Sequence, residues 1–344
     1  LILVTGGTGF LGSYLVRYLV RDSFRVRVLK RPESDLSLVG EARDKVEWAE
    51  GDVLDITSLE EAMDGVKKVY HAAAVVSFHP SERKKMIKVN AEGTANVVNM
   101  ALAKNVEKLL YVSSSSALRK PGTERLIDES EEPEKAGLDS FYGISKFLGE
   151  REVWRGIAEG LNAVIVNPAM LLGAGRWKDS SVRIFDTISR GQFFYPLGSN
   201  GYADVRDAAR LIIQLMESNI SGERFIISAE NRTYQEVIYE IARSLNVRRP
   251  PFPLKAWLTP IAQAVDWLRA KASGTKPVFT SEVARIASAS VRYDNQKIKS
   301  VLRYEFTPLS DVIEESADKF RKSRESNQSY AILELQSKKS TLMF

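Results

Sequence analysis

Cysteine is absent from this 344-residue chain, and histidine occurs only twice. Thiolate catalysis, disulfide frameworks, zinc ribbons and His-rich metal centres lose their ligands at the outset, so no metal is expected. No apolar run is long enough to span a bilayer. Charge of one sign is also scarce: the net charge is +5, and the excess falls in residues 250–344, where 15 basic side chains face 10 acidic ones. Because acids are interspersed among those bases, they read as a solvated surface and not as a nucleic-acid site. The opening residues, Leu1-Ile2-Leu3-Val4-Thr5-Gly6, look like a strand running into a turn and leave no room for a secretory signal. A cytoplasmic location is the expectation, and the Asn-x-Ser/Thr triplets at Asn219, Asn231 and Asn327 are read as chance matches.

Apolar residues supply 44% of the chain and charged residues 27%, the balance of a folded globular protein, and the length suits roughly two domains. In the first half, short apolar runs at Leu1–Thr5, Val26–Lys30, Val46–Glu50, Lys68–His71, Leu109–Ser113 and Ala163–Asn167 alternate with amphipathic segments. The latter predict helices at Leu11–Arg21, Leu59–Met63, Ser81–Lys104 and Ser140–Glu159. Such alternation predicts an α/β fold, a Rossmann-type doubly wound parallel sheet with helices on both faces. The polar stretch 119–138 reads as a loop at an active-site rim. After Pro168 glycines break the pattern, before a helix at Val205–Glu217 and a strand at Arg224–Ile227. Residues 233–322 read mostly helical, Leu254–Ala270 included, where a Trp/Leu stripe is expected to be core. The expected division is a dinucleotide-binding domain at 1–168 and 203–229, a smaller, mostly helical substrate domain interleaved at 169–202 and 230–325, and a tail at 326–344.

Thr5-Gly6-Gly7-Thr8-Gly9-Phe10-Leu11-Gly12 lies between the first strand and the first helix. Spaced glycines there let backbone amides approach a pyrophosphate at a helix N-terminus, so Gly6, Thr8, Gly9, Phe10, Leu11 and Gly12 are candidate cofactor residues. At the end of the second strand stand Lys30 and Arg31, where an acidic residue would accept hydrogen bonds from an adenosine ribose. Cations at that point suit a 2′-phosphate, so NADP is preferred over NAD. Asp52 and Val53, after the third strand, are placed at the adenine edge. Asp52 is equally a turn-forming residue.

Tyr142-Gly143-Ile144-Ser145-Lys146 opens a predicted helix, which sets Tyr142 and Lys146 on one face, where the ammonium is expected to lower the phenol's pKa. Ser113–Ser116 ends the fifth strand at the sheet's carboxyl edge, where ligands sit in such folds. With TGGTGFLG, GDV at 51–53, HAAA at 71–74, VN at 89–90, YVSSSSA at 111–117, YGISK at 142–146 and NPAMLLG at 167–173, the chain resembles the extended short-chain dehydrogenase/reductase superfamily, also called the NAD-dependent epimerase/dehydratase family. The run from His71 to Phe78 resembles its dihydroflavonol-reductase and 3β-hydroxysteroid-dehydrogenase branch.

The resemblance covers about residues 1–325 and implies roles. Tyr142 is the acid/base, Lys146 holds the nicotinamide ribose and Ser114 orients the substrate, with Ser115 the alternative if the alignment slips by one. Asn90 is a structural and proton-relay residue, or a simple backbone bridge. His71, Ala72 and Ala73 line the cofactor strand, His71 more as a packed residue than as a base. Asn167 and Pro168 turn toward the substrate. Phe78, Phe141, Phe185, Phe193, Phe194 and Tyr195 form the expected apolar substrate rim. Pairing of the helices Ser81–Lys104 and Ser140–Glu159 into a homodimer is also implied. The leading function is an NADP(H)-dependent reductase of a bulky apolar ketone or aldehyde, reversibly a secondary-alcohol dehydrogenase. A nucleotide-sugar epimerase with tightly bound NAD and a catalytically silent NADPH-binding regulator are the alternatives. Dehydration is disfavoured, because no Asp-Glu pair follows the strand-end serine.

Overall fold

The computed structural model describes residues 1–118, 126–131, 138, 140–260, 263–264, 268, 271 and 280–336. The first half runs β1 (Ile2–Thr5), α1 (Phe10–Arg21), β2 (Val26–Lys30), β3 (Glu47–Glu50), α2 (Ile56–Ala62), β4 (Lys68–His71), α3 (Arg83–Ile87), α4 (Gly93–Ala103), β5 (Lys108–Val112), β6 (Leu126–Ile127) and α5 (Phe141–Ala158). There follow β7 (Ala163–Pro168), β8 (Met170–Leu172), α6 (Arg183–Ser189), β9 (Phe194–Tyr195), β10 (Ser199–Asp204), α7 (Val205–Glu217), β11 (Glu223–Ile227), β12 (Glu230–Thr233), α8 (Tyr234–Ser244), β13 (Phe252–Pro253) and β14 (Arg292–Tyr293). Three later helices span Ser281–Ser288, Gln296–Leu302 and Leu309–Glu325.

Seven strands form one sheet in the order β11-β7-β5-β4-β1-β2-β3, every neighbouring pair parallel. Its central strands are buried along their whole length, which explains their near-continuous apolar sequence. Alternate residues feed opposite cores. Val4 and Val28 pack with Leu15 and Leu19 of α1 and Ile212 of α7, whereas Leu3, Leu109 and Ile165 pack with Val97 of α4 and Val153 of α5. The order in which the chain adds strands reverses between β1 and β4, all of them staying parallel, and that switch point opens a crevice at the carboxyl ends of the strands, where such sheets bind ligands.

The predicted helix Ser81–Lys104 is a continuous helical run from Arg83 to Ala103 that carries a π-bulge. A short turn at Pro80–Glu82 leads into α3, and a π-helical turn, Lys88–Glu92, joins α3 to α4. Beyond β7 the chain builds a second, three-stranded sheet, β12-β10-β8. A capping box, Thr233 with Glu236, starts α8. Of the expected helix Leu254–Ala270, Ala256–Leu258 is a short 3-10 turn and Trp257 is 69% exposed, so this Trp is not core; much of the rest lies outside the described residues. Most of the expected rim loop 119–138 also lies outside them.

Residues 329–336 are not a free tail. Trp177 N donates to Ser329 O, Ala331 N to Gly175 O, and Leu333 is fully buried. This short segment is fixed here by its backbone groups, which pair with partners far away in sequence, and by the buried Leu333.

Candidate active site

The glycine turn closes on itself: Gly9 N donates to Gly6 O, and Ser13 N to Gly9 O. Gly6 has φ +71, and a Cβ there would lie 2.6 Å from the backbone of Ala72 and Ala73. A Cβ on Gly12 would overlap the Gly6 carbonyl oxygen. Only glycine lets β1, the end of β4 and α1 meet this closely. Helix α1 has no side-chain cap, so its first-turn amides face the crevice without an intrahelical partner. An uncapped helix N-terminus behind a cradle that a Cβ would fill suits the pyrophosphate of a dinucleotide.

At the carboxyl end of β2, Lys30 pairs with Glu50 at 3.2 Å and Arg31 with Glu33 at 3.3 Å, the latter pair largely exposed. Asp52 Oδ1 accepts from Leu54 N at 2.9 Å, so this carboxylate shapes its own turn. Val53 is buried, and its carbonyl accepts from Asn96.

His71 is fully buried. Its Nδ1 lies 2.7 Å from Thr5 Oγ1 and its Nε2 3.0 Å from Thr94 Oγ1. Thr94 spends its own proton on Asn90 O at 2.7 Å, so Nε2–H must donate to Thr94 and Nδ1 must accept from Thr5. Burial, and Lys146 nearby, lower the imidazole's pKa to about 3. A neutral, doubly bonded ring is a strut and not a base. The Thr5 hydroxyl also accepts from Ala73 N, which ties the strut to the chain beside the glycine turn.

Asn90 sits in the π-helical turn, which swings it toward the sheet. Its Oδ1 accepts from Val75 N at 2.7 Å, and its Nδ2 donates to Val75 O and Ser145 Oγ at 2.9 Å. These bonds hold the β4 exit against α5.

Ser140 caps α5 by accepting from Gly143 N, which sets Tyr142 in the first turn over the end of β5. Burial raises the Tyr142 pKa, and the Ser114 hydroxyl beside it acts in the opposite direction. The expected lowering by Lys146 is corrected here. Lys146 Nζ donates to Val112 O at 2.8 Å and stands 4.4 Å from the Tyr111 ring centre, and burial lowers its pKa to about 7. Tyr142 is therefore a protonated phenol at neutral pH. Ser114, not Ser115, is the serine beside it, and Ser115 is buried in the following 3-10 turn.

Phe78 meets the Tyr142 ring edge-on at 6.0 Å. Phe141 lies 3.6 Å beneath the Arg83 guanidinium. Two other rim expectations change. Phe185 is fully buried in the core against Trp177, and Tyr195 packs edge-on against Tyr239. Val182, Phe185 and Ile188 share one helical face, so tight burial draws Phe185 inward. Phe193 is 69% exposed, and Phe194 pairs with Phe252 of β13. Asn167 is fully buried below the site, donating to Ser114 O and to Glu150. Its neighbour Pro168 ends β7.

Two side chains went unnoticed in the sequence. Arg176 donates to Thr8 O in the glycine turn and pairs with Asp35 at 2.6 Å, closing one edge of the crevice. Glu150 follows Lys146 by four residues, the same spacing that singled out Tyr142 and Lys146.

The architecture and the site define a dinucleotide-dependent oxidoreductase. Residues 2–228 match the NAD dependent epimerase/dehydratase family, and the chain belongs to it. It is 31% identical over 252 residues to sterol demethylase protein B of Methylococcus capsulatus, covering 72% of this chain and 75% of that protein. It is 26% identical over 332 residues to cinnamoyl-CoA reductase 1 of Petunia hybrida, covering 92% and 90%. The crystal structure of gox2253 superposes with a TM-score of 0.80 at 31% identity, covering 94% of this chain and 98% of that one.

Proposed function

We propose that this protein is an NADP(H)-dependent reductase of bulky, apolar ketones or aldehydes, working in reverse as a secondary-alcohol dehydrogenase. The observation that carries the reading is the Tyr142 phenol, held at the sheet's carboxyl edge between the Ser114 hydroxyl and the Phe78 ring. One polar pair beside an aromatic wall fits a carbonyl on an apolar body. A sterol and a cinnamoyl group, named in two relatives, are of that kind.

The glycine turn and the first-turn amides of α1 would hold the pyrophosphate, Lys146 the nicotinamide ribose, and Arg31 with Lys30 the 2′-phosphate. When bound, the cofactor supplies or accepts the hydride. Ser114 and Tyr142 hydrogen-bond the substrate oxygen as negative charge develops on it, and the protonated Tyr142 gives up its proton to that oxygen. In the reverse direction Tyr142 must first lose its proton to solvent, and the phenolate then takes the proton from the alcohol. Asn90 and the His71 strut keep Val75, Ala73 and α5 in place throughout.

The reading includes the substrate domain at 169–202 and 230–325, and a homodimer paired through α4 and α5, which light scattering checks. The test of function is a titration with NADPH and NADH, followed by a panel of carbonyl compounds. NADPH should bind more tightly, and Arg31→Glu should narrow or reverse the preference, since a charged hydrogen bond contributes about 1.5–3 kcal/mol. Equal affinities in the parent protein would remove the NADP assignment. Purified protein carrying non-exchangeable NAD would turn the reading toward a nucleotide-sugar epimerase.

A further inference from the structure

Helix α5 carries a third buried polar group on the face that holds Tyr142 and Lys146. Glu150 lies one turn beyond Lys146, and its side chain is 2% exposed. Its carboxylate accepts from Asn167 Nδ2 at 2.5 Å and lies 3.8 Å from the Arg224 guanidinium on β11. The same Asn167 nitrogen donates to Ser114 O at 3.1 Å, so one carboxylate reaches the backbone of the strand-end serine through a single amide.

The surroundings of Lys146 show why that carboxylate matters. The side chain is 1% exposed, and its Nζ has the Val112 carbonyl and the Tyr111 ring, both neutral, as neighbours. From β4 it faces His71, which is neutral; from β5, Tyr111, and from its own helix, Tyr142, both protonated phenols. Glu150 is the anion that acts on it, and beyond Glu150 stands Arg224. A buried charge without a counter-charge is strongly disfavoured.

We propose that Glu150 is a positioning residue of the catalytic helix: its buried carboxylate is the counter-charge of the Lys146 ammonium, and its bond to Asn167 holds the Ser114 backbone in register. The inference rests on the reading of Tyr142 and Lys146 as the working pair of the site. Burial drives the ammonium toward its neutral form and Glu150 opposes this, while Arg224, then the Asn167 hydrogen bond, and last Lys146 oppose the protonation that burial favours in Glu150. Each group favours the charged form of the other.

The test uses cofactor-free protein carrying ¹³C-labelled lysine, with the Lys146 resonance assigned by its loss in Lys146→Met. In Glu150→Gln the Lys146 titration midpoint should fall by about one pH unit or more, the effect expected of a lost neighbouring opposite charge. Glu150→Asp, which keeps the charge, should restore most of that difference. The alkaline limb of carbonyl reduction should move with the midpoint. A Lys146 midpoint in Glu150→Gln indistinguishable from the parent's overturns the proposal. Should that variant not fold, Lys146→Met decides: with ¹³C-labelled glutamate, the Glu150 carboxyl must titrate higher than in the parent, and an unchanged midpoint is again fatal. Shifted midpoints in a protein that reduces no carbonyl would support this pairing and overturn the functional reading, so the two fail separately.

Discussion

Replacing Leu333 by alanine tests whether the C-terminal segment is part of the fold that builds the cofactor crevice. Its side chain is fully buried, with Cδ1 3.6 Å from where a Cβ on Gly173 would stand. The backbone around it is pinned. Leu333 N donates to the Tyr14 hydroxyl at 2.8 Å, that hydroxyl donates to Ala174 O at 2.8 Å, and Leu333 O accepts from Arg17 at 2.9 Å. A buried Leu→Ala change costs about 2–5 kcal/mol, toward the upper end where the walls cannot collapse, and hydrogen-bonded walls of this kind justify about 3–4 kcal/mol. With an unfolding entropy of about 2.1 cal/mol/K per residue, a chain of 344 residues loses roughly 1.4 °C of Tm per kcal/mol, so the melting point should fall by about 4–6 °C. The chain at Gly173 and Gly175 runs so close to Phe10, the first residue of α1, that a Cβ there would lie 3.4 and 2.9 Å from its ring, so NADPH affinity should weaken as well. Calorimetry and a fluorescence titration measure both. A Tm within about 1 °C of the parent and unchanged affinity would show that residues 329–336 are an appendage, and the argument from their hydrogen bonds would fail.

Tyr142→Phe should lower kcat by at least about 10²-fold, the smaller end of what a positioned general acid supplies, while NADPH affinity stays within a few-fold; steady-state kinetics retaining more than about a tenth of the parental rate would remove Tyr142 from the mechanism. Gly12→Ala should cost about 1–3 kcal/mol of stability, because the new Cβ meets backbone that cannot rotate away. Its dinucleotide binding, followed by fluorescence, should be lost, and parental affinity in this variant would contradict the assignment of the glycine turn.

What the sequence makes legible is whatever a single element presents by itself. The parallel sheet follows from apolar strands alternating with amphipathic helices, and its seven strands include all those expected. The glycine turn and the Tyr142/Lys146 spacing are local patterns, and the structure brings both to the same crevice edge of the sheet. The helix within Ser81–Lys104 was legible but its π-bulge was not, because one extra residue in a single turn leaves the segment reading as helix throughout. Phe185 was misread as rim because the aromatic content of its segment outweighed its helical spacing with Val182 and Ile188, all three of them buried.

The remaining misses have a common cause. Arg176 reaches Asp35 and Thr8, more than 140 residues earlier in the chain, and Leu333 reaches Tyr14 across 319 positions. No periodicity or spacing marks a contact of that range, since each partner is an ordinary residue of its own segment. Yet these contacts lie along one edge of the crevice. The stretch Gly173–Arg176 lies over α1, with Ala174 bound to Tyr14, Gly175 to Ala331 and Arg176 to the glycine turn. The N-terminal half thus supplies the chemical groups and the C-terminal half fixes the edge of the cleft above them. A change in residues 173–176 or 329–336 should accordingly act on cofactor affinity and stability together, whereas a change at Tyr142 or Ser114 should act on turnover.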